Sequence, residues 1–175
     1  KDRGSFVSFS AYAIESVIGR TIWPIFLLLI LGTVVKTGIL VTGTMILSLF
    51  VFYISGKITD KYDKIILLRF GTIFYFFAWV GRIFVDGTFT MFMVDTYKNA
   101  TEKLLHIPWE AKTFDLAMKR GYFRFLVGRE IIFNFIRLFV MPILMLIFYI
   151  NVYPFLISFG IAALFSIGYM FLDRQ

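Results

Sequence analysis

Long apolar runs separated by short polar loops make up almost the whole chain. A helix that crosses the hydrocarbon core of a bilayer needs about 20 apolar residues. On that basis the sequence predicts six spans, at approximately 6–31, 39–55, 65–85, 88–105, 122–150 and 153–172. The fourth is the most polar, since its second half holds Asp95, Lys98, Glu102 and Lys103. We therefore expect an all-α membrane protein, a single six-helix bundle over residues 1–175.

Composition supports a membrane protein and excludes several other classes. The chain is 59% hydrophobic with 23 phenylalanines, and its mean hydropathy is +0.83, which is too apolar for a soluble domain of this size. It has no cysteine and one histidine, which argues against a disulfide framework, a zinc site or any other cofactor. The sequence offers no catalytic serine–histidine arrangement, phosphate loop or channel filter, so we expect neither an enzyme nor a channel.

The distribution of charge predicts the topology. The net charge is +7, but the cations lie in loops rather than on one polar face, so we expect no nucleic-acid partner. With six spans and both termini cytoplasmic, the loop cations from Lys1 to Arg174 fall inside and only Lys36 falls outside. Omitting the fourth span would move the basic stretch 112–124 outside, against the positive-inside rule. We expect a multi-pass protein of the plasma membrane.

The connection 106–121 alternates apolar and charged residues, including Trp109, Phe114 and Lys112. This pattern predicts a short amphipathic helix on the cytoplasmic surface of the membrane; an ordinary solvated loop is the alternative. His106 is interpreted as a surface residue of this connection.

Ionisable residues inside spans are costly, so they are candidates for function by default. The candidates for substrate binding or proton coupling are Glu15, Arg20, Asp95, Glu130, Asn134 and Arg137. The last three are spaced i, i+4, i+7 and share one face of the fifth helix. They either line a hydrated cavity or lock helices together through buried pairs, such as Asp95 with Arg20 or Arg137, and Glu15 with Arg129. We expect Arg69 and Arg82 to snorkel to an interface, and the second and sixth spans, which show no polar stripe, to act as supports.

One loop carries a family resemblance. The segment Gly56-Lys57-Ile58-Thr59-Asp60-Lys61-Tyr62-Asp63-Lys64 resembles the Gly-x-aliphatic-x-Asp-Lys/Arg-x-Gly-Lys/Arg signature between adjacent spans of the Major Facilitator Superfamily. Gly56, Ile58, Asp60, Lys61 and Lys64 match, whereas Asp63 stands where the family has glycine. The segments Ala13–Ser16, Ile22–Phe26 and Arg129–Arg137 also look like the carboxyl-terminal half of such a transporter. An ordinary topogenic loop is the other interpretation.

The resemblance implies a function and a partner. It implies one six-helix half of a twelve-span secondary transporter that moves a small solute by alternating access, with the cavity lined mainly by the first, fourth and fifth spans. It also implies that Asp60 gates the cytoplasmic side against the start of a helix near Gly128 and Arg129. The second half is either part of the same polypeptide, which a first residue other than methionine favours, or a second copy related by a membrane-normal axis.

Two further questions stay open in the sequence. Glu15, Asp95 and Glu130 make proton coupling a hypothesis, and no charge preference for the substrate follows, since arginines and acids are about equally frequent among the candidates. The competing class is a non-transporting membrane scaffold or sensor that has kept a transporter-like fold.

Overall fold

The computed structural model describes residues 3–150 and 152–173, and every regular element in that part of the chain is helical. The charges at Lys1 and Arg174, which the topology prediction places inside, lie outside the described residues. The helices are α1 (Arg3–Leu31), α2 (Val34–Lys61), α3 (Lys64–Ile83), α4 (Thr88–Arg120), α5 (Tyr122–Ile150) and α6 (Pro154–Ser166, continued by a 3₁₀ segment Ile167–Asp173). The all-α prediction is confirmed.

Five of these helices, α1, α2, α3, α5 and α6, are long and apolar enough to cross a membrane. The chain is therefore a membrane protein with several transmembrane helices. Helix α4 has 33 residues and is also long enough, but its charged side chains set it apart from the other five. A crossing by α4 remains a prediction. It is supported by the packing of α4 along α2 and α3, with Asp95 and Lys98 turned into the bundle.

Residues 106–121 do not form a separate surface helix or loop, so both sequence interpretations are wrong. Helix α4 runs without interruption to Arg120. Pro108 removes one backbone hydrogen bond, but burying the apolar side chains around it stabilises the helix by more than that loss. Trp109 is fully buried and donates a hydrogen bond from Nε1 to Ser8 Oγ at 2.8 Å. At about 1.5 Å per residue α4 is roughly 50 Å long, so one end extends beyond the apolar core of a bilayer.

Short turns connect the helices. Gly32 adopts a φ of +73° at the end of α1, a conformation that glycine tolerates without strain. Asp63 caps the start of α3, since its Oδ1 accepts a hydrogen bond from the backbone N–H of Ile65 at 2.8 Å. This cap accounts for the acid at the position where the loop signature has glycine, because a carboxylate stabilises the first turn of a helix.

A π-helical turn interrupts α1 at Ile18–Ile22. Pro24 follows it and has no N–H to donate to the carbonyl of Arg20, so the regular i to i−4 ladder fails at this point. The backbone widens by one residue, and the N–H of Trp23 bonds to the carbonyl of Ile18. Such π-turns are frequent at functional sites, and this one carries Arg20.

The packing of the helices follows a three-plus-three pattern. The main contacts join α3 with α4, α2 with α4, α1 with α6, α1 with α5, and α3 with α6. Exchanging α1 with α4, α2 with α5 and α3 with α6 leaves this set unchanged. Helix α4 starts at the opposite end of the bundle from α1, so the exchange relates helices that run in opposite directions. Helices α2 and α5 are the least buried.

Glycines mark the closest helix crossings. A Cβ at Gly71 of α3 would lie 3.0 Å from the carbonyl oxygen of Leu104 and from the Cα of Leu105 in α4. A Cβ at Gly168 would collide with the Cβ of Ala11 in α1. Small residues let membrane helices approach closely enough to gain dispersion energy over long stretches.

Candidate functional site

Asp95 of α4 is the most highly connected polar residue of the bundle. Its Oδ1 accepts hydrogen bonds from Trp23 Nε1 at 2.8 Å and Arg82 Nη2 at 3.3 Å. Its Oδ2 accepts from Thr44 Oγ1 at 2.8 Å and Asn99 Nδ2 at 3.1 Å. The carboxylate is buried and joins α1, α2, α3 and α4, so it holds these helices in register.

Arg82 is the cation of this centre, and the prediction that it snorkels to the interface is wrong. The residue is 1% exposed, and its guanidinium lies 3.8 Å from the ring centroid of Trp23 and 4.4 Å from that of Trp79. Side chains on a helix point toward its amino terminus. Arg82 lies near the carboxyl end of α3, so its side chain points away from the nearer membrane interface and toward Asp95. Ion pairing and two cation–π contacts offset the cost of burying the charge.

Glu15 of α1 forms a second buried centre. It is 3% exposed, and its two carboxylate oxygens accept hydrogen bonds from Tyr75 Oη at 2.6 Å and Tyr169 Oη at 2.9 Å. These donors are neutral phenols from α3 and α6, and no cation of the described residues lies within ion-pairing distance of Glu15. Glu15 therefore differs from Asp95, whose charge is compensated by a guanidinium.

Further polar groups of α4 lie beside Glu15. Lys98 Nζ pairs with Glu102 at 3.0 Å and lies 5.9 Å from the ring centroid of Tyr75. His106 Nε2 lies 3.4 Å from Tyr169 Oη, and its ring packs against Tyr12 with centroids 5.5 Å apart. His106 is half-buried in the bundle, so its assignment to the surface is wrong. His106 follows the polar half of the fourth span in the sequence, so the pattern of apolar residues does not show that α4 continues through it.

A third group of candidates lies on an open face formed by α1 and α5. Arg20 is exposed and donates from Nη2 to Tyr12 Oη at 3.2 Å. Arg137 is half-buried and donates from Nη2 to Ser16 Oγ at 3.4 Å. Both arginines line one cavity of about 260 Å³ together with Ser16, Val17, Thr21 and Met141. We call this cavity the arginine cavity.

Glu130 and Asn134 extend the open face along α5. Both are exposed, and Asn134 Nδ2 bonds only to the carbonyl of Glu130 at 3.0 Å. Arg129, the preceding residue of α5, forms ion pairs with Glu110 of α4 at 3.0 Å and with Glu130 at 3.1 Å. The helical spacing places Glu130, Asn134 and Arg137 along one side of α5. Glu130 and Asn134 face outward from the six-helix bundle, whereas Arg137 is half-buried beside Ser16 of α1.

The structure contradicts the ion pairs predicted from depth. Asp95 pairs with Arg82 and not with Arg20 or Arg137, and Glu15 bonds to tyrosines and not to Arg129. Depth along a helix leaves its rotation free, so residues at the same level need not face each other. The description of the second and sixth spans as featureless supports is also wrong. Helix α2 carries a buried Ser/Thr stripe against α4, and α6 supplies Tyr169.

The residues of the loop signature lie mostly in helices. Gly56, Asp60 and Lys61 belong to α2, where Asp60 and Lys61 are exposed. Lys64 begins α3, and its Nζ pairs with Asp115 of α4 at 2.7 Å. Within this chain Arg129 bonds to Glu110 and Glu130, so the expected approach of Asp60 to the Arg129 region remains a prediction about a second half.

Several residues of the two buried centres were missed in the sequence. Leu68, Thr72, Tyr75, Trp79 and Arg82 are spaced alternately by four and three residues and are all buried. This spacing predicts a single buried face of α3 and would have placed Arg82 inside. Among the described residues no group of three or more histidine, aspartate or glutamate side chains is arranged to hold a metal ion.

Fold and site together define a multi-pass, all-α membrane protein with two buried carboxylate centres and an open face of α1 and α5. That face carries four polar side chains among apolar ones: Arg20, Glu130, Asn134 and Arg137. Compared with protein-family models, with curated proteins and with solved structures, the chain matches none. The resemblance to the Major Facilitator Superfamily therefore rests on the residues of the loop and helices named above.

Proposed function

We propose that this chain is one six-helix half of a secondary transporter that moves a small solute across the membrane by alternating access. The observation that carries the proposal is the open face of α1 and α5. Arg137 lies about 22 Å from the start of α5 and about 20 Å from its end, farther than an arginine side chain can snorkel. Arg20 lies about 25 Å from the start of α1 and about 16 Å from its end.

Exposing this face to lipid would be energetically unfavourable. An arginine at the centre of a bilayer costs about 2.5–3.5 kcal/mol even on the most lenient scale, and the exposed Glu130 and Asn134 of the same face add to that cost. The face is therefore best accommodated against water and a second six-helix half. A polar surface at this depth, bounded by protein, is what a substrate path requires.

The packing pattern supports the same proposal. Inverted three-helix repeats occur within each half of Major Facilitator Superfamily transporters, and the helix contacts here are invariant to the corresponding exchange. The partner half is supplied either by the same polypeptide or by a second copy about a membrane-normal axis.

Glu15 is the better candidate for proton coupling. Protonating Glu15 would remove a buried charge held by neutral phenols, whereas protonating Asp95 would leave the buried guanidinium of Arg82 without its partner. Proton coupling thus remains a hypothesis that concerns Glu15 first. Comparing solute uptake into proteoliposomes with and without a pH gradient tests it, and uptake unaffected by the gradient would remove it.

A scaffold or sensor is the second candidate function. The observation that favours it is the complete satisfaction of Asp95 and Glu15 by partners within the bundle, which suits a fixed structure. A scaffold needs no position that is reached from both sides of the membrane, whereas alternating access does.

The test uses a single cysteine on the open face, in a background without other cysteines; these 175 residues contain none. Asn134→Cys is introduced into the full-length protein and exposed to a membrane-impermeant thiol reagent in right-side-out and inside-out vesicles. Transport by alternating access predicts reaction from both sides. Reaction from one side only would support the scaffold. Leu164→Cys, at an apolar position that is 68% exposed, is the lipid-facing control and should react from neither side.

A further inference from the structure

The acids of the two buried centres and those beside the open face already have partners, whereas the two arginines of the open face bond to no acid. Asp95 is paired with Arg82, Glu102 with Lys98, and Glu110 and Glu130 with Arg129. Glu15 is enclosed by two tyrosines. Among the described residues no carboxylate lies within ion-pairing distance of Arg20 or Arg137, which bond only to hydroxyl groups.

These two arginines meet at the arginine cavity, where no acidic residue lines the wall. The other lining residues are neutral, with the Ser16 and Thr21 hydroxyls on one helix and the apolar Val17 and Met141 completing the wall. A volume of about 260 Å³ corresponds to roughly eight or nine water molecules at about 30 Å³ each. The cavity can therefore hold a small polar group but not a folded segment of another protein.

Backbone geometry fixes one of the two cations. Arg20 lies within the π-turn Ile18–Ile22. The extra residue in this turn changes the direction in which the Arg20 side chain leaves α1, and so its position relative to Arg137. Arg137 in turn is held by Ser16, whose Oγ donates to the carbonyl of Ala13 at 3.1 Å and accepts from Arg137 at 3.4 Å. Both guanidinium groups line the same cavity, and a guanidinium can donate two parallel hydrogen bonds to the oxygens of a carboxylate or a phosphate.

We propose that the arginine cavity binds the carboxylate or phosphate group of the transported solute, with Arg20 and Arg137 as its two cationic contacts. This inference rests on the proposed transport function and adds to it a class of substrate, a small organic or inorganic anion. The carbon portion of an organic anion would lie against Val17 and Met141.

The test reads the electrostatic potential of the cavity. Thr21→Cys, in the full-length protein with no other cysteine, is treated with two methanethiosulfonates of similar size, one carrying a sulfonate and the other a trimethylammonium group. After correction for their rates with a free thiol, we expect the anionic reagent to react roughly tenfold faster, because two cations lie beside the thiolate. Arg137→Gln and Arg20→Gln should each reduce that preference severalfold.

A second measurement identifies the ligand group. Inorganic phosphate and succinate should slow the labelling of Thr21→Cys, whereas sorbitol at the same concentration should not. A preference for the cationic reagent, a preference unchanged in both arginine variants, equal protection by sorbitol, or no labelling by either reagent would overturn the inference. The last outcome would mean that a second half seals the cavity.

The two proposals fail separately. An anion preference at Thr21→Cys without two-sided labelling of Asn134→Cys would leave an anion site in a protein that does not transport. Two-sided labelling without an anion preference would leave a transporter whose solute is not an anion.

Discussion

Arg82 and Asp95, thirteen residues apart on neighbouring helices, form a buried ion pair in which Arg82 Nη2 lies 3.3 Å from Asp95 Oδ1. Both side chains are almost completely inaccessible, at 1% and 4% exposure. Two tryptophan rings enclose the guanidinium, and three further donors satisfy the carboxylate. The pair thus joins α3 to α4, whereas Arg20 and Arg137 on the open face of α1 and α5 bond to hydroxyl groups rather than to an acid.

Breaking this pair should destabilise the bundle strongly. Arg82→Met and Asp95→Asn should each lower the free energy of unfolding by about 3–5 kcal/mol. The first change leaves the Asp95 carboxylate buried without an opposite charge, and the second does the same to the Arg82 guanidinium. The double variant should lose clearly less than the sum. Chemical unfolding in detergent measures the cycle, with Arg124→Met on an exposed part of α5 as the control. Additive losses would contradict the pairing.

The tyrosines around Glu15 should contribute through their hydroxyl groups alone. Tyr75→Phe and Tyr169→Phe should each cost about 1.5–3 kcal/mol of unfolding free energy, the range for a hydrogen bond to a charged group. Tyr149→Phe, at a position that is 89% exposed, should leave stability unchanged. Thermal unfolding of the three variants tests this, and equal midpoints would show that Glu15 does not depend on the phenols.

Crowding at the α3–α4 crossing should make Gly71 intolerant of even one methyl group. Gly71→Ala should cost about 1–3 kcal/mol, because its new Cβ meets backbone atoms of Leu104 and Leu105, which cannot rotate away. Gly160→Ala in α6, which meets nothing within 4 Å, should instead stabilise by up to about 1 kcal/mol through helix propensity. Equal effects at the two sites would rule out the close crossing.

Two ion pairs toward the end of the bundle that holds the α2–α3 turn should differ in strength. Arg129 is 14% exposed and bridges α4 and α5 through Glu110, so Arg129→Met should cost about 1–3 kcal/mol. Lys64 and Asp115 are 35% and 49% exposed, and solvent screening should limit Lys64→Met to less than about 1 kcal/mol. Unfolding at low and high salt checks both, since only the exposed pair should weaken markedly with salt. A larger loss for Lys64→Met would contradict the ranking.

The sequence predicts the helices well and their partners poorly. Apolar run length locates five of the transmembrane helices, and intramembrane charge correctly selects Glu15 and Asp95 as inward-facing residues. The partners of Asp95 come from α1, α2 and α3, and neither helix rotation nor side-chain direction can be obtained from depth alone. Arg82 was misplaced for that reason. The continuation of α4 past Pro108 was missed because its gain comes from tertiary packing, which outweighs local propensity.

The central claim is that the face of α1 and α5 borders water at membrane depth. A nitroxide spin label at Asn134→Cys, in the full-length protein reconstituted into lipid nanodiscs, measures this through its collision rates with oxygen and with a water-soluble nickel complex. A label at Leu164→Cys gives the reference for lipid. We predict that position 134 collides mainly with the nickel complex and position 164 mainly with oxygen. A label at 134 with the oxygen-rich signature of position 164, or one shielded from both relaxation agents, would contradict the account.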